Sequence, residues 1–177
     1  ALRIATGNTL SGFTTKGKNM SAIPQPTGEL VLLRADAGGV TTLTLNRPTQ
    51  FNSLSQELLD ALQAQLDAIA ADQAVRVVVI AGAGKAFCAG HDLKELRSDP
   101  RKEFQQQIFH QCGRVMMTLP QLPQPVIARV QGFAIGGGNV LCTICDLTIC
   151  SDKAQFGQVG PKMGSVDPGY GTAFLAR

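Results

Sequence analysis

Residues 75–82, VRVVVIAG, form a nearly unbroken β-branched run that closes on glycine, and PVIARVQG at 125–132 repeats the arrangement. Runs of this kind mark strands covered on both faces, as in a parallel sheet. Parallel strands need crossovers, and the chain supplies them. Leu58, Leu62, Leu66 and Ile69 recur every three or four residues, which predicts a helix over roughly 55–71 with Ser53 and Ser55 as candidate caps. Phe104, Ile108, Cys112, Val115 and Met116 share one face of a second helix over roughly 100–118. Ahead of these, ELVLLR (29–34) and VTTLTL (40–45) flank Ala37-Gly38-Gly39, a hairpin signal. Gly136-Gly137-Gly138 opens a short apolar helix that leads into DLTICS (146–151). Alternating strands and helices predict an α/β fold with right-handed crossovers and parallel strands near 75–81, 125–130 and 145–150.

Charge excludes one class of partner. Of 16 basic residues against 13 acidic ones, Arg3, Lys16 and Lys18 lie in residues 1–28, which hold no acid, so the remainder is balanced. A nucleic-acid reader carries its basic stripe on the folded part, and none is visible. No apolar run reaches the length of a membrane span. Cys88, Cys112, Cys142, Cys145 and Cys150 sit mostly in apolar stretches, and an odd count argues against a complete intrachain disulfide framework. Cys142-x-x-Cys145 lacks the second ligand pair of a structural zinc site, so no metal is expected. The cysteine usage points to a reducing interior: the cytoplasm, or the mitochondrial matrix in a eukaryote. Residues 1–28 read as a disordered or non-native tail. Within them, 1–19 are either translated upstream or appended sequence, or a basic, acid-free transit peptide. Residues 29–177 form the core, and GYGTAFLAR (169–177) opens a helix that no cap closes. The reading therefore expects further helical structure beyond Arg177.

Two segments carry the chemistry. GKAFCAGHDLKEL (84–96) follows the first buried strand, and VQGFAIGGGNVL (130–141) overlaps the end of the second. Each leaves a strand, passes glycine and enters a helix or turn, which exposes backbone N–H groups at a positive dipole end. Two such donors can cradle one oxyanion, such as the enolate of a thioester. Alone, the three glycines could equally be a turn, a packing contact or a phosphate loop. The G-x-x-x-x-G-K-[ST] spacing of a P-loop is absent.

LTLNRPTQFNSL, GKAFCAGHDLKEL, PVIARVQGFAIGGG and CDLTICSDKAQFGQ, in that order, resemble the crotonase (enoyl-CoA hydratase/isomerase) superfamily over about residues 29–177. The resemblance implies a crotonase-like ββα spiral (the ClpP/crotonase fold) whose C-terminal helical region lies outside this sequence. It also implies a CoA thioester as substrate with no tightly bound cofactor, and a homotrimer or hexamer. It puts the oxyanion donors on the N–H groups of His91 and Gly137, and CoA contacts on Arg47, Phe51, Ala89, Lys94 and Gly136. Asn52, beside Phe51, lies in the same segment. Lys94 reads equally as a solvated lysine; the His91 imidazole and His110 read as bystanders.

Two positions depart from the hydratase pattern. Hydration of an enoyl-CoA needs an acid and a base, supplied in the family by glutamates that fall on Val140 and Gly160 here. Neither residue transfers a proton. GGGNVL, CDLTI and FGQVGPKMGSVDPGYG (residues 130–177) resemble 1,4-dihydroxy-2-naphthoyl-CoA synthase instead, whereas residues 29–120 look more like enoyl-CoA hydratase domain-containing proteins. The synthase resemblance implies bicarbonate held by Gln158 and Gly160, with Ser165 and Asp167 as catalytic side chains. Asp167, ahead of Pro168-Gly169, also reads as a turn residue. The expectation is thus a lyase of altered hydratase chemistry, or a non-catalytic CoA-binding or assembly module, with the 177-residue chain inactive by itself.

Overall fold

The structure, a computed structural model, describes residues 30–164 and 170–175. A hairpin opens the fold: β1 (Leu32–Ala37) pairs antiparallel with β2 (Val40–Leu45) around the expected Gly38-Gly39 turn. β3 (Val77–Gly82) then joins β2 in parallel, β5 (Val126–Val130) joins β3, and β7 (Leu147–Cys150) joins β5. The large sheet thus has the order β1-β2-β3-β5-β7. Its three parallel strands after the hairpin lie where the β-branched runs predict them. Coverage differs from the expectation: β3 alternates buried and half-buried residues, and every residue of β7, at the sheet edge, is exposed.

A second sheet follows from no periodicity in the sequence, only from the ββα spiral that the resemblance implied. β4 (Ala86–Cys88), β6 (Phe133–Ile135) and β8 (Gln155–Gly157) form a parallel three-stranded sheet. Each strand follows a large-sheet strand within a few residues, so every turn of the chain lays one strand in each sheet. That repeat is the ββα spiral. Three-residue strands are too short to show a period of two, which is why only the long strands were readable.

Helix α1 (Gln56–Ala70) starts where the Ser55 Oγ accepts the Leu58 N–H at 3.3 Å, so Ser55 rather than Ser53 is its cap. Its apolar stripe, Leu58, Leu62, Leu66 and Ile69 with Leu59, is fully buried and joins Leu43, Leu45, Val78 and Ile80 in one core. Each such side chain contributes about 1.5–3 kcal/mol through burial. Helix α2 (Leu93–Ser98) is short; α3 (Lys102–Thr118) packs on α1 and buries Ile108, Cys112, Val115 and Met116. Phe104, expected on that face, is half-buried. Helix α4 (Gly137–Ile144) follows β6, and α5 (Gly171–Leu175) lies against α4.

The cysteines other than Cys150 pack as small hydrophobes. Cys88, Cys112 and Cys142 are buried free thiols, and burial pushes Cys88 and Cys112 up to about 12. Cys145, half-buried, is also pushed up to about 12, and Cys150 is exposed. No helix among the described residues is long and apolar enough to cross a membrane.

Candidate functional site

The two glycine-rich segments meet. Gly90, with φ +85°, turns the chain from β4 toward α2, and a side chain there would place its Cβ 2.9 Å from the Ile135 carbonyl and 3.1 Å from the Gly137 nitrogen. Only glycine permits that approach. From the other side, a Cβ on Gly137 would stand 3.5 Å from the Gly90 Cα and 3.9 Å from the His91 nitrogen. Gly138 holds α4 against β4, since a Cβ there would lie 2.1 Å from the Cys88 carbonyl oxygen.

Backbone groups on either side of both amides are engaged, and among the described residues the amides themselves are not. Leu54 bridges His91 as an isolated parallel pair: the Leu54 N–H donates to Gly90 O at 2.8 Å and the Asp92 N–H to Leu54 O at 3.1 Å. At the other segment, Gly136 donates to Gly157 O at 2.8 Å, and Val140 closes the first helical bond onto Gly136 O at 3.0 Å. Among the described residues, neither the His91 N–H nor the Gly137 N–H has an acceptor. Gly137 is the first residue of α4, where an N–H lacks a helical partner by construction of the helix. Two adjacent donors of this kind, one at a helix N-terminus, can receive a single anionic oxygen.

The His91 side chain is largely buried, with its ring edge-on to Phe109 of α3 at 5.0 Å and 76°. Its Nδ1 is buried with no hydrogen-bond partner, and burial lowers its pKa. Burial thus favours the neutral imidazole.

Around this pair, the loop after β2 is tightly specified. Phe51 and Asn52 both adopt left-handed φ, 52° and 54°. Asn52 is fully buried; its Oδ1 accepts the Arg47 N–H at 2.9 Å, and its Nδ2 donates to Ala83 O and Ala86 O at 2.9 and 2.8 Å. Phe51 leaves its ring half in solvent, and its carbonyl accepts the N–H of Ala89, itself exposed, at 3.0 Å. The Arg47 guanidinium donates to Ser53 O at 2.6 Å and to Asp92 Oδ2 at 2.9 Å. Asp92 also caps α2 by accepting from the Lys94 and Glu95 N–H groups. Burial works to raise the Asp92 carboxyl; hydrogen bonds from Arg47, the Glu95 N–H and Ser53, with the charge of Arg47, outweigh it and leave the carboxyl below its ordinary value. The Lys94 side chain is exposed.

Of the remaining sites expected from sequence, Val140 lies on α4 and Gln158 bonds to it. Val140 is buried in the core at 4% exposure. Gln158 is half-buried, and its Oε1 accepts from Asn139 Nδ2 at 3.3 Å. Gly160 opens a short 3-10 helix, Gly160–Met163. Ser165 and Asp167 fall outside the described residues. Sequence reasoning missed Leu54, Ser53, Asp92 and Asn139. Asp92 alone had a signal, the D-x-x-E spacing to Glu95 that marks a helix start. Glu95 nevertheless turns to α1, accepting the Gln56 N–H at 3.0 Å. No group of three metal-ligating side chains occurs among the described residues.

A ββα spiral with paired amides at two strand-to-helix turns defines the class, and residues 35–177 match the enoyl-CoA hydratase/isomerase family. The chain belongs to that family. It is 36% identical over 126 residues to enoyl-CoA hydratase domain-containing protein 3, mitochondrial, of Xenopus laevis, covering 71% of this chain and 43% of that protein. The crystal structure of an enoyl-CoA hydratase from Mycobacterium smegmatis superposes with a TM-score of 0.80 at 45% identity, over 84% of this chain and 58% of that one. A Bacillus anthracis enoyl-CoA hydratase gives 0.80 at 39% identity, over 83% and 57%. The chain thus spans about half the length of these relatives.

Proposed function

We propose that this chain binds an acyl-CoA thioester and activates it by holding the carbonyl oxygen on the N–H groups of His91 and Gly137. The reading is supported by one observation above others: two neighbouring backbone amides without acceptors among the described residues, set between backbone groups of Gly90, Asp92, Gly136 and Val140 that are hydrogen-bonded. As charge develops on the thioester oxygen, such donors gain strength in a water-poor setting, and removal of one costs about 10²–10³ in rate. Phe51, Ala89, Lys94 and Gly136 are the proposed contacts along CoA. In this reading the intact protein is a lyase that forms trimers or hexamers. A mitochondrial site is proposed for a eukaryotic source, since the Xenopus relative is so described.

The acid–base chemistry is the finer part of the proposal. Val140 and Gly160 offer no proton, so we propose weak hydration of crotonyl-CoA and proton transfer by Ser165, Asp167 or a bicarbonate near Gln158 and Gly160. Ring closure of a naphthoyl-CoA synthase type is the reaction that uses such a set. Val140 favours the second reading, a CoA-binding module without turnover, because its side chain is committed to the core. A crotonyl-CoA hydration assay on the full-length protein, with and without bicarbonate, separates them. Robust hydration that survives Asp167→Asn and ignores bicarbonate contradicts the proposed acid–base set. Bicarbonate-stimulated ring closure of a succinylbenzoyl-CoA supports the synthase reading, and thioester binding without either reaction supports the module.

A further inference from the structure

We infer that Arg47, Ser53 and Asp92 form a clamp that aims the His91 N–H at the thioester oxygen, so that Arg47 is a positioning residue acting through the backbone. The inference deepens the proposed function and rests on it. In a parallel bridge, the residue whose two neighbours bond to one partner turns its own N–H and C=O to the opposite side. Gly90 and Asp92 both bond to Leu54, so the His91 N–H faces away from Leu54's backbone. A single bridge outside any strand is held by only two hydrogen bonds, each worth about 0.5–1.5 kcal/mol net. Its geometry needs outside support.

Arg47 supplies that support from both sides of the bridge. One arm of the guanidinium, Nη1, donates to Ser53 O at 2.6 Å, immediately before Leu54. The other, Nη2, meets Asp92 Oδ2 at 2.9 Å, immediately after His91. The Ser53 hydroxyl closes the ring by donating to Asp92 Oδ2 at 3.2 Å while accepting from Nη1 at 3.1 Å. The two charged side chains are only 18% and 12% exposed, where solvent screening is weak and charge-assisted bonds are strong. The planar fork of arginine fits two acceptors at once, and a lysine ammonium cannot reproduce it. Arg47 is itself fixed, because its N–H donates to the buried Asn52 side chain.

Two measurements on Arg47→Gln, Arg47→Lys and the milder Ser53→Ala test the clamp. The first is amide hydrogen exchange without ligand. The Leu54 and Asp92 N–H groups should exchange about tenfold faster in Arg47→Gln, the size of one lost charge-assisted bond, while Ile80 in β3 stays at its wild-type rate. Ser53→Ala should give a smaller change of the same pattern, and Arg47→Lys should resemble Arg47→Gln. Unchanged protection of Leu54 and Asp92 overturns the clamp. The second is the infrared carbonyl stretch of a saturating ¹³C-labelled crotonyl-CoA. The clamp predicts that Arg47→Gln loses most of the bound-state shift and changes affinity less than about threefold. Lost affinity with the full shift retained at saturation overturns it, since Arg47 would then act on CoA directly. If the full-length wild-type protein shows no carbonyl shift at all, the proposed function fails, and the exchange experiment still decides the clamp.

Discussion

The loop around His91 and the segment around Gln158 both border the N-terminus of α4, yet they are built differently. The first is cross-tied: Leu54 holds Gly90 and Asp92, Asp92 caps α2, and Arg47 joins Asp92 to Ser53. Among the described residues, the second meets the start of α4 through a backbone bond, Gly136 to Gly157, and a long side-chain bond, Asn139 to Gln158. Its residues Gln155 and Phe156 are exposed. The contrast fits a division of labour in the proposed function. Oxyanion stabilisation depends on fixed dipoles and suffers from small displacements. Acid–base groups are side chains, so in the proposed function the chemistry can change by substitution, as proposed for Val140 and Gly160, without disturbing the amides.

The comparison breaks first if the His91 loop tolerates a side chain at Gly90. Gly90→Ala combines a φ of +85° with a Cβ 2.9 Å from a backbone oxygen, so the loop must move. Turnover of the full-length protein should fall by about 10²–10³, the scale of one lost oxyanion donor. A steady-state assay on an acyl-CoA checks it. A substitution in the second segment, Gln158→Ala, should leave carbonyl activation within about threefold while altering any bicarbonate response.

The core beneath both regions sets the next effect. Leu62 is fully buried on α1, and Leu62→Ala should destabilise the chain by about 2–5 kcal/mol, read by denaturant unfolding. Both regions should then lose protection together, since neither has a core of its own.

The smallest expected effect is a pH dependence. The His91 pKa is lowered by burial from 6.5, so the unfolded chain binds the proton more readily. Stability should be undiminished above about pH 6.5 and decline as pH falls below it. The Asp92 carboxyl, below its ordinary 3.8, works in the same direction lower down: its contribution is present above about pH 3.8 and lost beneath it. Thermal unfolding from pH 7.5 to 5 should show the first decline, and His91→Gln should flatten it. An unchanged slope in His91→Gln would place the titrating group elsewhere.

What the sequence made legible follows the length of each signal. The β-branched runs placed β3 and β5, and the leucine spacing placed α1 within a residue or two. The strands β4, β6 and β8 were invisible because three residues carry no periodicity, although the family resemblance implied a spiral that needs them. The meeting of Gly90 with Gly137 was legible only as two similar segments after two similar strands. The pairing of Arg47 with Asp92, distant in sequence, follows from tertiary geometry alone. The same holds for the bridge from Leu54 to His91. Ser165 and Asp167 lie outside the described residues, so their part rests on resemblance.

The most direct test of the account replaces a single backbone atom. Incorporating the α-hydroxy-acid counterpart of histidine at position 91 converts that amide to an ester and removes the N–H while keeping the imidazole. The readout is the infrared carbonyl stretch of bound ¹³C-labelled crotonyl-CoA. The account predicts a shift to lower frequency on the unmodified chain, preserved in His91→Ala and largely lost in the ester. A full shift in the ester, or a shift that disappears in His91→Ala, would contradict it and assign the site to the imidazole or to another part of the chain.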